Sequence, residues 1–337
     1  MSSLSNLPYG KILDYWYEKL AGKSYRFKFI ITKIFEVYTF KSVNKKCYKN
    51  QNYFDFPEPV KNTIPENQNY FDFPEPVKNT IPGNPKLSIV IPFFLRTEKE
   101  KQNVINLLES IEKQSLLPYE IIMIDDSSPI ILPLPPNVKV FRLDSNSGPA
   151  KARNIGKNIS LENGSDIIAF TDIDCILSKD WVSTIINSFI NYKDAQILSG
   201  NTPSYNENWF GTYHNINGTL NGRQLKNSEA LLYGTTANLA ITRRVAEKID
   251  FNEKFPIAAG EDIEFCFRAN NLGFSIKHVP TMVVHHNYGY TGQLLNDLKR
   301  FRNQFRKYGL GEKILIREIP NYYAYFDRTV EIPVMCS

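Results

Sequence analysis

An α/β fold with a mostly parallel central sheet flanked by helices is predicted by three observations. From residue 86 onward, short apolar runs of the buried-strand kind alternate with amphipathic helical stretches. Two of those runs end in paired carboxylates, at the strand ends where ligands of such sheets bind. A chain of 337 residues, 42% hydrophobic and 22% charged, can bury a large core and is too apolar to be disordered.

Taken in order, Leu87–Phe94 (LSIVIPFF) reads as the first buried strand. Thr97 with Glu100 forms a capping box for a helix whose inner face is Val104, Leu107, Leu108 and Ile111. Glu120–Ile124 is a second strand running into Asp125 and Asp126, and Val138–Leu143 is a third. Pro149 suits the first turn of a helix through Ala152, Ile155 and Ile159. Asp166–Phe170 is a fourth strand, ending at Asp172-Ile173-Asp174. Asp180 then caps a helix with Val182, Ile185, Ile186 and Phe189 turned inward. A further helix is expected from Gly260-Glu261-Asp262 through Leu272, and Met282-Val283-Val284 ends at His285-His286.

Residues 1–49 form a separate basic, aromatic segment. They carry a charge of +7, and the rest of the chain sums to −2. That confinement excludes a chain-wide basic stripe, so no nucleic-acid partner is expected. Phe27, Ile31, Ile34 and Tyr38 recur at helical spacing among lysines. Such a helix either packs on the main domain or lies peripherally on an anionic membrane surface. A second basic cluster runs from Lys299 to Lys307.

Residues 50–85 contain a tandem duplication. Asn50–Pro65 reads NQNYFDFPEPVKNTIP, and Asn67–Pro82 repeats it unchanged. Two Pro-rich copies are too few for a solenoid and read as a duplicated linker, with a docking segment as the alternative. The main domain is expected over residues 86–310, followed by a tail over 311–337. No run reaches the ~20 apolar residues of a membrane span. Met1–Pro8 lacks the pattern of a secretory signal. The four cysteines form no CxxC pair, so reduced thiols, no zinc site and a cytoplasmic location, with peripheral attachment at the inner membrane face as an extension, are expected.

Several residue groups can carry chemistry. Asp172 and Asp174 can share a hard divalent cation, Mg²⁺ or Mn²⁺, although aspartates in strand-end turns are often plain turn formers. Asp125 and Asp126 either serve a turn or accept a hydrogen bond from a nucleobase. Asn146–Asn154 opens a helix whose amides and cations favour an anionic or nucleotide ligand. That stretch is neither a P-loop nor a dinucleotide fingerprint. Glu261 and Asp262 favour the dipole of their helix, or else take a proton from an attacking hydroxyl. Gly234, Thr235 and Asn238 belong to a small polar stretch suited to lining a cleft. His285-His286 is more often structural than ligating, yet neutral imidazole can complete a metal's ligands.

The ordered set LSIVIPFF, IIMIDDSS, NSGPAKARNIG, IIAFTDIDC, GTTANLAITRR, GEDIEFCFRANNLG and the closing His with FRKYG resembles the family 2 glycosyltransferases of GT-A fold. The likeness spans about residues 86–310. It implies a nucleotide-binding half and an acceptor-binding half. It further implies that Pro92 and Phe94 border the nucleoside, and that Asp126 binds uracil with Asp125 in support. Arg153 would line the donor pocket, and Asp172 and Asp174 would hold ribose, diphosphate and metal. Asp262 matches the catalytic base, with Glu261 beside the acceptor. Gly234, Thr235 and Asn238 would line the acceptor side. His285 or His286 matches a metal-reaching histidine. The family's usual Tyr-Asn pair after the first strand is replaced here by Phe93-Phe94.

The expected activity is metal-dependent, inverting transfer of a sugar from a nucleotide-sugar donor, a UDP-sugar, to a hydroxyl of a glycan, lipid-linked or protein acceptor. The rivals are a nucleotidyltransferase, disfavoured because the loop after the first strand has no glycine, and a non-catalytic sugar-nucleotide or glycan-binding module. A dehydrogenase is disfavoured by the missing dinucleotide fingerprint.

Overall fold

In the computed structural model of this chain, residues 74–224, 230–319 and 322 are described. All of them fall in a unit spanning Asn69–Asp327. The expectations for residues 1–49 and for the first copy of the repeat lie outside the described residues.

The elements follow the predicted alternation. They are β1 (Leu87–Phe93), α1 (Glu98–Glu112), β2 (Glu120–Asp125), β3 (Val138–Arg142), α2 (Pro149–Glu162), β4 (Ile167–Phe170) and β5 (Cys175–Leu177). Next come α3 (Trp181–Asn191), β6 (Ala195–Asn201), α4 (Trp209–Asn217), β7 (Arg223–Gln224) and β8 (Leu231–Tyr233). A 3₁₀ turn at Thr236–Asn238 leads into β9 (Leu239–Thr242), α5 (Arg243–Ala246), α6 (Glu261–Asn271), β10 (Ser275–His286) and α7 (Leu294–Glu318).

Eight strands form one sheet in the order β3-β2-β1-β4-β9-β6-β10-β5. The pairs β1–β2, β2–β3, β1–β4 and β6–β10 are parallel. β9 runs antiparallel to both β4 and β6, and β5 antiparallel to β10. The mostly parallel α/β sheet expected from the sequence is therefore what the chain adopts, with two reversed strands that apolar runs alone do not reveal. Helices α1 and α3 pack through Leu107, Ile111, Trp181 and Phe189 on one face. Helices α2, α5 and α6 pack through Ala150, Val245 and Phe265 on the other.

Local signals act as the sequence suggests at α1. Glu100 accepts the amides of Arg96 at 2.6 Å and Thr97 at 3.1 Å, completing the capping box. Asp180 does occupy the N-cap of α3, but its side chain caps nothing. The inner face of α2 differs more. Ile155 and Ile159 are only partly buried, and Arg153, Asn154 and Lys157 are buried instead. Each polar group is tolerated there because it finds a partner: Lys157 donates to the carbonyl of Ala246 at 2.7 Å, and Asn154 to that of Phe251 at 2.9 Å.

The packed unit reaches beyond residues 86 and 310 at both ends. Asn79, in the second copy of the repeat, donates to the carbonyls of Phe189, Tyr192 and Ala195. The Val77 amide donates to Gly273, and Gln196 donates back to the Val77 carbonyl at 2.8 Å. At the other end α7 continues to Glu318, and Leu315, Ile319 and Tyr322 pack on Phe255. Among the described residues, no helix is long and apolar enough to cross a membrane.

Candidate active site

Chain direction across the sheet reverses at β1, with β2 and β3 on one side and β4 on the other. Ligands of open α/β sheets bind at such a switch, beyond the carboxyl ends of the strands. The β1–β4 ladder stops at Val90 and Phe170, while β1 runs on against β2 to Phe93. Pro92 sits past that last β4 pair, where its missing N–H costs no ladder bond on that side. It is buried within the strand, and Phe94 is half-buried with the Arg96 guanidinium 5.6 Å from its ring centroid.

The β2 end presents two acids in different roles. Asp125 is tied to Arg142 at 2.5 Å and accepts the Ser128 amide at 2.8 Å. Asp126 accepts the amides of Ser147 at 2.6 Å and Gly148 at 2.9 Å, joining β2 to the entrance of α2. Ser127 between them and the loop takes φ 63°, the only positive φ at a non-glycine among the described residues.

Arg153 is the hub of the carboxylate cluster. One guanidinium nitrogen donates to Glu261 at 2.6 Å and the other to Asp172 at 2.9 Å. Burial alone favours the neutral guanidine, but Asp172, Glu261 and Asp262 outweigh that and hold the guanidinium charged. Glu261 and Asp262 open α6 after Gly260, whose φ of 93° suits glycine. A Cβ there would also press on Leu315 of α7 at 3.0 Å. Asp262 accepts the Thr236 amide at 3.3 Å and the Ile263 amide at 2.9 Å. Burial, then the charge of Glu261, pushes its carboxyl up to about 7, against opposition from Arg153 and the two amides.

The second aspartate of the D-x-D stretch faces a different partner. Asp174 lies 3.3 Å from Nε2 of His286. Burial works against ionisation of both, but each favours the charged form of the other: Asp174 is lowered and His286 raised. His285 is exposed, one residue along β10 from the buried His286 and so on the opposite face. Asp174, Cys175 and His286 place one ligand atom each within 4.8 Å of one another. The Cys175 thiol is pushed up by burial and by Asp174 and Asp172, and it directs its hydrogen to the Ala237 carbonyl. Asp174 and His286 do fit a divalent cation: Asp174 is partly open, and Nδ1 of His286 is buried with no hydrogen-bond partner among the described residues. Asp172, by contrast, is engaged by Arg153.

Of the expected acceptor-side residues, Gly234 and Thr235 lead into the turn that carries the Thr236 amide to Asp262. Thr235 donates its hydroxyl to the Leu220 carbonyl at 2.6 Å. Asn238 is fully buried and committed internally, accepting from Trp181 Nε1 and donating to the carbonyls of Asn201 and Met282. Sequence reasoning missed the aromatic wall beside Asp174. His214 stacks on Tyr288 at 3.8 Å and contacts the Tyr290 hydroxyl at 2.8 Å. Burial, then the charge of His286, pushes His214 down to about 3, so it is neutral. The Tyr308 hydroxyl of α7 accepts from Gln304. Burial, then Asp262, Asp174 and Asp172, suppresses its ionisation, so this one phenol senses all three carboxylates. Tyrosines after a strand and in a long helix carry no spacing signal that marks them in advance.

The carboxylates thus gather at the switch point of a mostly parallel α/β sheet, the place where such sheets bind ligands. Residues 88–250 match the family described as glycosyl transferase family 2. The uncharacterized glycosyltransferase YwdF of Bacillus subtilis (strain 168) is 32% identical over 125 residues, covering 34% of this chain and 43% of that protein. The probable N-acetylgalactosaminyltransferase 9 of Caenorhabditis elegans is 25% identical over 234 residues, covering 60% of this chain and 39% of that protein. The chain thus spans less than half the length of either relative. Among solved structures, S. aureus TarS 1-349 in complex with UDP is similar with a TM-score of 0.46 and 16% identity, over 73% of each chain. GalNAc-T7 with UDP, GalNAc and Mn²⁺ is similar with a TM-score of 0.47 and 18% identity, over 65% of this chain and 48% of that one.

Proposed function

We propose that this protein is a metal-dependent, inverting glycosyltransferase that moves a sugar from a UDP-sugar to a hydroxyl acceptor, with Asp262 as general base. The observation that carries the reading is the Arg153 bridge. It holds Asp172, on the strand-end side of the crevice, and Glu261, at the start of α6, on one buried cation with Asp262 alongside. A carboxyl pushed up to about 7 is suited to take a proton at neutral pH.

In this reading the nucleoside lies over the ends of β1 and β2, against Phe94 and Asp126, with Pro92 and Asp125 shaping the floor. Asp172 faces the ribose and diphosphate, and Arg153 sets the orientation of Asp172 and Glu261. Asp174 and His286 would hold Mn²⁺ or Mg²⁺, which when bound supplies Lewis-acid neutralisation of charge on a diphosphate. The acceptor enters past Gly234, Thr235 and Glu261. Asp262 receives the hydroxyl proton as the acceptor oxygen bonds to the anomeric carbon. The bond from that carbon to the diphosphate oxygen breaks on the opposite side, and the diphosphate leaves with the electron pair. One displacement turns an α-linked donor into a β-linked product.

The test is a donor screen with Mn²⁺ or Mg²⁺ that identifies the released product. UDP release with sugar on the acceptor is expected. Pyrophosphate release would instead make the protein a nucleotidyltransferase, and binding without any turnover of donor would make it a binding module.

A further inference from the structure

We propose that the Tyr288 hydroxyl is a ligand-binding group of the cleft, donating to a distal-phosphate oxygen of the bound nucleoside diphosphate. This rests on the functional reading above and adds a contact to it. Tyr288 is 3% exposed, and its hydroxyl has no hydrogen-bond partner among the described residues. Its two aromatic neighbours differ in this respect. Tyr290 bonds His214 and Gln304, and Tyr308 accepts from Gln304 at 2.7 Å.

The ring is held firmly while its polar end is left free. It stacks on His214 with an interplanar angle of 6° and lies 4.4 Å from the His286 ring. The Tyr288 carbonyl accepts from Nε of Arg300. The preceding residue, Asn287, donates its amide to the Asp174 carbonyl at 2.7 Å, which sets Tyr288 directly beyond the D-x-D bend. A donor with no acceptor costs stability when buried, and a phenylalanine would fill the same space without that cost. The His286 ring and the Arg300 guanidinium both lie against Tyr288, which makes an anionic oxygen the acceptor that suits this spot.

The experiment compares full-length wild type with Tyr288→Phe. Thermal unfolding is followed without nucleotide or metal, and calorimetric titrations use UDP and UMP in the presence of Mn²⁺. The Phe variant is expected to melt no lower than wild type and to bind UDP about tenfold or more weakly. Both proteins should bind UMP alike, because UMP lacks the distal phosphate. The inference is overturned if UDP affinity is unchanged, if UMP affinity falls by the same factor, or if the variant melts lower or fails to fold, since the hydroxyl would then be structural. Failure of wild type itself to bind UDP would overturn the broader functional reading, and this contact with it.

Discussion

Arg153 and Glu261 meet at 2.6 Å with both side chains buried, and the same guanidinium holds Asp172 at 2.9 Å. One cation therefore answers three carboxylates, because Asp262 also acts on it. The surplus negative charge has two consequences. It helps push Asp262 up to about 7, and it leaves the cleft short of positive charge. A divalent cation, which the proposed function assigns to Asp174 and His286, would correct that shortage.

Arg153→Met should be strongly destabilising. It leaves Glu261 buried without a counter-charge, and breaking such a pair costs about 3–5 kcal/mol. Urea unfolding of the variant checks this. Arg153→Lys should recover only part of the loss, because an ammonium cannot reproduce the two-pronged contact.

Asp262→Asn should lower turnover by about 10²–10⁴ while leaving UDP affinity near wild type. In wild type, kcat/KM should rise with pH through about 7 as the carboxyl ionises. The variant should lose that limb. A pH–rate profile that keeps it would assign the base elsewhere.

Stability should show the opposite trend with pH. Asp262 has a folded-state value raised above the ordinary 3.8, so the protonated form favours folding. Its contribution is complete below about pH 4 and is lost as pH rises through about 7. Asp262→Asn should thus gain in melting temperature relative to wild type at pH 8 but not at pH 4, read by parallel thermal scans.

The two histidines should separate cleanly. His286→Ala and Asp174→Ala should weaken Mn²⁺ binding about tenfold or more, measured by paramagnetic titration of free metal. His285→Ala should leave it unchanged, because that side chain lies on the exposed face of β10. In metal-free protein the raised His286 favours folding at low pH and loses that effect as pH climbs through its folded value. Asp174→Asn should therefore cost more stability at pH 5 than at pH 9.

Asn79→Ala should cost about 1–3 kcal/mol, since three carbonyls at the end of α3 and the start of β6 lose their donor. A melting curve indistinguishable from wild type would mean that the second repeat copy is only a linker.

Short-range signals made much of this protein legible from its residues. Apolar runs, the Thr97–Glu100 box and Pro149 located β1, α1 and α2, and the acid clusters fell at the ends of β2 and β4 as expected. Each of those signals acts over a few residues, within reach of a hydrophobic period or a helix cap. The packing of the second repeat copy through Asn79 escaped that reading, because its partners lie more than a hundred residues away.

By itself, the order of residues determined the α/β alternation, the positions of the carboxylates and the family they resemble. Only the tertiary structure decided that Asp172 goes to Arg153 while Asp174 goes to His286, that His285 faces outward, that Asn238 is spent inside, and that Tyr288 keeps a free hydroxyl. The reason is physical. A charge or a donor takes its character from the group it meets, and Arg153 meets Glu261 across 108 residues of chain. No local pattern encodes that encounter; packing of α2 and α6 into one core cluster on the same face of the sheet creates it.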